Sequence, residues 1–459
     1  MKKLNYILSL VLSVAFLVSC DYGDENVDPT RPSEGVVDLK LVLPAALTQA
    51  AYNNMASPNR LTGIVMQHFD GFDAQQIEYM IYDIDENALD NYWNFGLYGG
   101  VMKDCIVLME KGEAEEQPYY VGIAKILMAN ALGTATSIFG DVPYSEAFQG
   151  TDNLKPAYDS QESVYAAVQT LLDEAITELS KPAVGGGPAA DDLIFGGDAA
   201  KWIATAYAFK ARYYMHTVNR NSSAHTQALS AIANAFSSSA DQPDFVFGSS
   251  QNFANPMAKF GAERPNTLVM NAGFVAKLAG DPREDLITDG ANFFTSATDG
   301  LFWSSNDSPS PLISYTEIKF LEAEAEARAG NMGAANTALQ AAVTSNMDYM
   351  GVDGTAYVAA MTDISGMSLN NALSVIMDES YIGLYGQAAV EVWTNYRRTG
   401  LPALTPNAQG RNGNNPSGVI PRRVSYPQNE RVTNAESLNA AISAQGGALL
   451  DDDLWAFKN

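Results

Sequence analysis

The stretch Glu317–Met347, EIKFLEAEAEARAGNMGAANTALQAAVTSNM, reads as two amphipathic helices closed by a tight turn. Ala, Leu, Glu and Gln are strong helix formers, and their run is broken at Gly330-Asn331, the chemistry of a helix stop. Small side chains on facing sides let two such helices approach closely, as in tetratricopeptide-like hairpins. No fixed 34-residue period recurs along the chain, so a regular solenoid is not expected. The reading is an all-α protein: an irregular helical body with tetratricopeptide-like helix hairpins and long ordered loops.

Outward from this hairpin, apolar residues at helical spacing predict helices over about 40–56, 92–111, 118–139, 161–180, 199–219, 224–236, 314–329, 333–346 and 370–387. In ESVYAAVQTLLDEAITELSK, Val164, Val168, Leu171, Leu172, Ala175, Ile176 and Leu179 form one apolar stripe, with acids and Gln opposite. Trp93, Leu97 and Val101 share a face in the same way. Between the helices lie stretches rich in Gly, Pro, Asn and aromatics, at 67–91, 140–160, 181–198, 237–312 and 400–435. Loops this long tend to be functional or disordered, and Phe253, Phe260, Phe274, Phe302, Trp303 and Tyr426 argue for order.

The N-terminus has its own logic. Lys2 and Lys3 precede an apolar run from Ile7 to Val18, and Ser19 precedes Cys20. This has the form of a secretory signal peptide; a bilayer-spanning helix needs about 20 apolar residues, more than the run supplies. The stretch ending LVSC has the lipobox pattern, in which the cysteine is lipidated and becomes the first mature residue. Acids at Asp21, Asp24 and Glu25 follow, then a polar segment with Pro29 and Pro32 suited to a tether. The expected organisation is therefore a signal peptide at 1–19, a lipidated tether at 20–36 and one helical domain at 37–459.

The whole chain carries a net charge of −26; without Lys2 and Lys3, 25 basic side chains stand against 53 acidic, a net charge of −28. Nucleic acid is thereby excluded as a partner, since phosphate binding needs a concentrated positive surface. With Cys20 acylated, only Cys105 remains, so no internal disulfide can form; in KDCIVLME it reads as a small buried hydrophobe.

Catalytic and cofactor signatures are missing from the sequence. It holds no H-E-x-x-H, G-x-S-x-G, Walker or C-x-x-C motif, and only three histidines, His68, His216 and His225. No cofactor or metal is expected. His216, near a helix end, reads as a packing or capping residue, and GGGPAADDLIFGGD as a turn-rich loop. Asp83, Asp85 and Asn87 imitate the opening of a calcium loop, but Ala88 and Asn94 stand where an EF-hand requires Gly and Glu. Asp378-Glu379 is the most tempting carboxylate pair for a glycosidase, yet adjacent helix residues diverge by about 100° and sequence sets no pair across a cleft.

Aromatic residues gather instead in the irregular segments, Phe69, Phe72, Tyr79 and Tyr82 in one and Phe302 with Trp303 in another. Exposed rings stack on the C–H faces of sugars while Asn, Asp and Gln bind hydroxyls, without a metal or nucleophile.

Along nearly its whole length the chain resembles the SusD/RagB-like nutrient-binding outer-membrane lipoproteins. The resemblance is carried by the lipobox with NVDPTRPSE (26–34), LYGGVMKD (97–104), IFGDVPYSEAFQG (138–150) and PAYDSQESVY (156–165). It continues through LIFGGDAAKWIATAYAFKARYYM (193–215), YTEIKFLEAEAEARAG (315–330), VWTNYRRTGLP (392–402) and IPRRVSYPQNERVTNA (420–435). In that light Gly140 and Pro143 turn the chain after a helix, and Arg422-Arg423 with Glu430 tie down the last loop. The resemblance implies a lipid-anchored cell-surface protein that caps a SusC-like TonB-dependent outer-membrane transporter and delivers an oligosaccharide to it. The quoted strings are expected to be architectural, with ligand contacts in the loops at 67–91 and 281–312. The candidate ligand residues are Phe72, Tyr79, Tyr82, Phe302, Trp303 and Asn306, with His68 and Asp70 as polar contributors. Two alternatives stay open: the same role for peptides, and a surface glycoside hydrolase.

Overall fold

In the computed structural model, helix Tyr315–Arg328 turns at Gly330 (φ +84°) into helix Met332–Met350, forming the expected hairpin. Ser314 caps the first helix by accepting from the Glu317 amide, and Ala323, Ala327, Ala335, Ala338 and Ala342 are buried. The structure describes residues 37–290 and 301–458. The expected leader, Cys20 and tether, and the segment 291–300 of the second candidate loop, lie outside them.

The same construction recurs. Helix Pro118–Phe139 packs on Gln161–Leu179, which packs on Ala199–His216, which packs on Ala224–Ile232. Close approach depends on glycine where these helices touch: a Cβ on Gly133 would meet the Tyr213 ring at 2.2 Å. Helix Pro118–Phe139 is long and apolar enough to cross a membrane by composition, but it is buried among its neighbours as a core helix. Among the described residues the protein is all-α apart from four very short strands.

Two departures from the sequence reading have local causes. The expected helix at 92–111 is a wide π-helical segment, Tyr92–Val101, followed by α-helix Met102–Ala114. A Cβ on Gly99 would sit 2.5 Å from the Asn94 carbonyl oxygen and one on Gly100 2.2 Å from that of Phe95, so both glycines are needed five residues on. Trp93, Leu97 and Val101 still share a buried face. The periodicity also missed helices Ser57–Val65, Pro256–Glu263, Ala389–Thr399 and Ala435–Gln445, too short or too polar to announce themselves.

Strand β1 (Phe69–Gly71) and strand β3 (Leu268–Met270) pair antiparallel, Phe69 opposite Met270 and Gly71 opposite Leu268. Strand β2 (Asp244–Phe245) pairs likewise with β4 (Ser310–Pro311). The first pairing joins the 67–91 loop to the 237–312 stretch.

A buried polar network ties the helices together and draws on the strings that carry the family resemblance. Arg212 holds Glu317 through two hydrogen bonds of 2.6 and 2.7 Å and donates to the Leu312 carbonyl at 3.1 Å. His216 is a packing residue, with Nε2 against Glu391 at 2.7 Å and Nδ1 against the Tyr165 hydroxyl at 3.0 Å. Gly140 (φ +93°) ends helix Pro118–Phe139 as expected. Arg422 and Arg423 secure the last loop, but not through Glu430. Arg422 pairs with Asp453 at 2.5 Å, Arg423 donates to the Phe139 carbonyl at 2.7 Å, and Glu430 accepts from the Tyr158 hydroxyl at 2.7 Å.

Candidate ligand cleft

Pairing of β1 with β3 brings helix Pro256–Glu263 against the end of helix Leu39–Met55 and the start of helix Ser57–Val65. Between them opens a cleft of about 620 Å³, within the usual size of small-ligand sites. By contrast, the space beside Arg212 and Glu391 holds about 30 Å³ and the groove at Tyr165, Arg220 and Trp455 about 290 Å³.

One wall of the cleft is Tyr52, Ser57 and Arg60; another is Gln75, Gln76 and Tyr79; Asn87 and Asn91 lie beyond; Lys259, Phe260, Glu263 and Arg264 face them. Tyr52 is 47% exposed, so its ring offers a free face. Phe260 is buried between two guanidiniums, Arg60 at 4.2 Å and Arg264 at 5.3 Å from its ring centre. Burial draws the Arg60 pKa down to about 10, with Arg264 pushing the same way and Tyr52 and Tyr79 opposing; the group stays charged at neutral pH. Gln76 is buried at the cleft, and its amide oxygen has no hydrogen-bond partner among the described residues. Amides, a hydroxyl ring and cations suit recognition of a polar ligand, while among the described residues no pair of carboxylates lines the cleft for hydrolysis.

The candidate residues divide sharply. Tyr79 lines the cleft, though its ring is buried and its hydroxyl donates to the Ala88 carbonyl at 3.1 Å. Phe72 is 68% exposed, and its amide donates to the carbonyl of Thr267, a cleft residue. Asp70 accepts from the Asn271 amide at 2.8 Å, across the β1–β3 pairing.

For the other five, burial removes the reason for expecting ligand contact. Trp303 is 1% exposed, packed against Phe302, Tyr349 and the backbone of Gly386, where a Cβ would meet the indole at 2.4 Å. Neither face is open to a sugar. Phe302 is partly buried in the same cluster. Asn306 is buried, its side-chain amide donating to the Ser249 carbonyl and its backbone carbonyl accepting from the Asn255 backbone amide. Tyr82 packs over Gly410, and its hydroxyl accepts from the Asn407 amide at 3.1 Å. His68 is fully buried among Phe274, Tyr381 and Tyr385, with Nε2 at 3.0 Å from the Tyr381 carbonyl, and burial lowers its pKa to about 3. It is a neutral core residue. Among the described residues, the aromatic side chains of these segments are held by their own packing.

Sequence reasoning missed Tyr52, Arg60, Lys259, Phe260 and Arg264. A signal existed: MAKFGAER sets two cations around an aromatic ring in a chain otherwise dominated by acids. Asp85 binds the Asn87 amide and side chain, as in an Asx turn, and no cluster of three metal-ligating side chains occurs among the described residues.

Fold and cleft together define an all-helical binding protein. The pattern of the SusD-like family, described as starch-binding and associating with the outer membrane, matches residues 31–427, and the chain belongs to this family. A SusD/RagB family protein of Bacteroides thetaiotaomicron shares the fold at a TM-score of 0.74 and 23% identity, over 92% of this chain and 99% of its own. A SusD homologue from Bacteroides uniformis superposes at 0.76 and 22% identity, over 91% and 99%. A chitin-binding SusD homologue from Flavobacterium johnsoniae superposes at 0.74 and 22%, over 92% and 99%. No curated protein matches the chain significantly.

Proposed function

We propose that this protein captures an oligosaccharide in the cleft between Tyr52, Gln76 and Phe260 and delivers it to a TonB-dependent, SusC-like transporter in the outer membrane. The observation that carries the reading is the cleft itself, a large recess with one free aromatic face and converging amide groups, in a member of a family described as starch-binding. The chitin-binding neighbour supports a saccharide ligand. The role is binding rather than catalysis, in keeping with a family described as starch-binding. Cys20, lipidated behind the signal peptide, anchors the protein at the cell surface.

The test is calorimetric titration of the protein against plant, host and microbial oligosaccharides and mixed peptides, with Tyr52→Ala alongside. Binding to one glycan class, weakened at least about fivefold in Tyr52→Ala as expected for loss of an aromatic stacking face, supports the reading. Binding to peptides alone transfers the same delivery role to peptides and overturns it.

A further inference from the structure

The charge inside the cleft runs against the charge of the chain. With 53 acidic and 27 basic side chains overall, the protein nevertheless lines this cleft with Arg60, Lys259 and Arg264 against, among the described residues, a single carboxylate, Glu263. That carboxylate is engaged by its neighbour Arg264 at 3.2 Å. Among the described residues no carboxylate lies within ion-pair distance of Arg60 or Lys259. Glu78 and Asp85 act on Tyr79 from outside the lining, and Asp85 is turned to Asn87.

Arg60 is partly buried, its guanidinium donates among the described residues only to the Ser57 hydroxyl at 3.1 Å, and it shares the Phe260 ring with a second guanidinium. Holding two like charges beside one ring, one of them half out of water, is unfavourable unless a counter-charge arrives. A planar guanidinium is matched by a carboxylate or sulfate, which it binds with two parallel hydrogen bonds. Tyr52 then offers the face for a sugar ring, and Gln76 an unpartnered amide oxygen that can accept from a sugar hydroxyl.

We infer that the cleft is built for an anionic oligosaccharide, one bearing uronate carboxylates or sulfate esters, with Arg60 and Lys259 taking the acidic group. This rests on the saccharide reading above and narrows its ligand class. In a chain of strong negative charge, a local positive recess also sets specificity: an acidic ligand bound elsewhere is repelled, and a neutral one leaves Arg60 without a counter-ion.

The experiment uses the full-length protein in detergent and matched ligand pairs: a galacturonate tetramer against its methyl ester, and a sulfated galactan oligomer against its desulfated form. The acidic member of at least one pair should bind about tenfold or more tighter than its neutral partner, and raising salt from about 0.05 to about 0.5 M should erode that preference. Arg60→Gln and Lys259→Gln should each reduce it. Lys259 lies on the cleft edge, so its variant keeps the test open if Arg60→Gln fails to fold. A Glu-rich peptide of equal charge separates saccharide from mere charge, and its binding as tightly as the acidic sugars overturns the inference. Neutral members binding as well as acidic ones also overturn it while leaving the glycan reading intact. Binding of no saccharide in either pair overturns the inference, and the glycan reading falls with it only if the wider oligosaccharide panel also fails to bind.

Discussion

Arg398 and Glu324 are joined by two parallel hydrogen bonds of 2.7 Å each, both side chains buried, so the 389–399 helix is fastened to the tetratricopeptide-like hairpin. Arg328 adds a third contact to the same carboxylate at 2.8 Å. Burial alone would raise the Glu324 pKa, but Arg398 and Arg328 outweigh it and hold it at about 2.

Removing one member of this cluster strands the others. Glu324→Ala should cost about 3–5 kcal/mol of unfolding free energy in denaturant titration, because two guanidiniums lose their counter-charge inside the protein. The pH dependence follows from the same carboxylate. The unfolded group takes up its proton near 4.5 and the folded one only near 2, so the unfolded chain binds more protons between those values and stability falls as pH drops through them. A Glu324→Gln protein should lack that share of the acid slope; an identical slope would show the cluster to be unimportant there.

His68 gives a second window at higher pH. Its folded pKa of about 3 lies below the ordinary 6.5, so stability is full above 6.5 and falls as pH drops towards 3. His68→Gln keeps an amide donor for the Tyr381 carbonyl but does not titrate. Between pH 6.5 and 4.5 the wild type should lose stability faster than His68→Gln, by up to about 1.4 kcal/mol per pH unit. Parallel curves would mean that His68 titrates as if exposed.

Trp303 separates packing from binding. Its indole fills the space over Gly386, whose φ of +76° no other residue adopts easily. Trp303→Ala should destabilise the protein by about 3–5 kcal/mol. Ligand affinity measured well below its melting point should stay within about twofold of wild type. Tyr52→Ala should show the reverse, little change in stability and a clear loss of binding. A Trp303→Ala protein of normal stability that no longer binds would restore the indole as a ligand platform.

These pairs show what the sequence could carry. The hairpin at 315–350 was legible because its information is local: alanine and leucine at helical spacing, a glycine stop, a serine cap. The cleft was not, because Tyr52 and Arg60 meet Phe260 and Arg264 only through β1 and β3, strands of three residues each. Three residues have no period to read. Trp303 misled for a related reason: flanked by Ser and Asn it looks exposed, and the turn at Gly386 that buries it lies in a distant part of the chain. Tyr79 reached the cleft because its own short helix forms part of the wall.

The anchor offers the last test, independent of the cleft. If Cys20 carries acyl chains, each buried methylene contributes about 0.8 kcal/mol, and several chains together hold the protein to a membrane against any wash that acts only on charge. Without Lys2 and Lys3 the chain carries a net charge of −28 and has no electrostatic attraction to an anionic membrane surface, so charge does not compete with a lipid as the means of attachment in this test. Cys20→Ala should therefore move the protein from the membrane to the soluble fraction, and intact-mass measurement of the wild type should show the added acyl mass. Recovery of Cys20→Ala in the membrane fraction after a high-salt wash would refute lipid attachment at this cysteine.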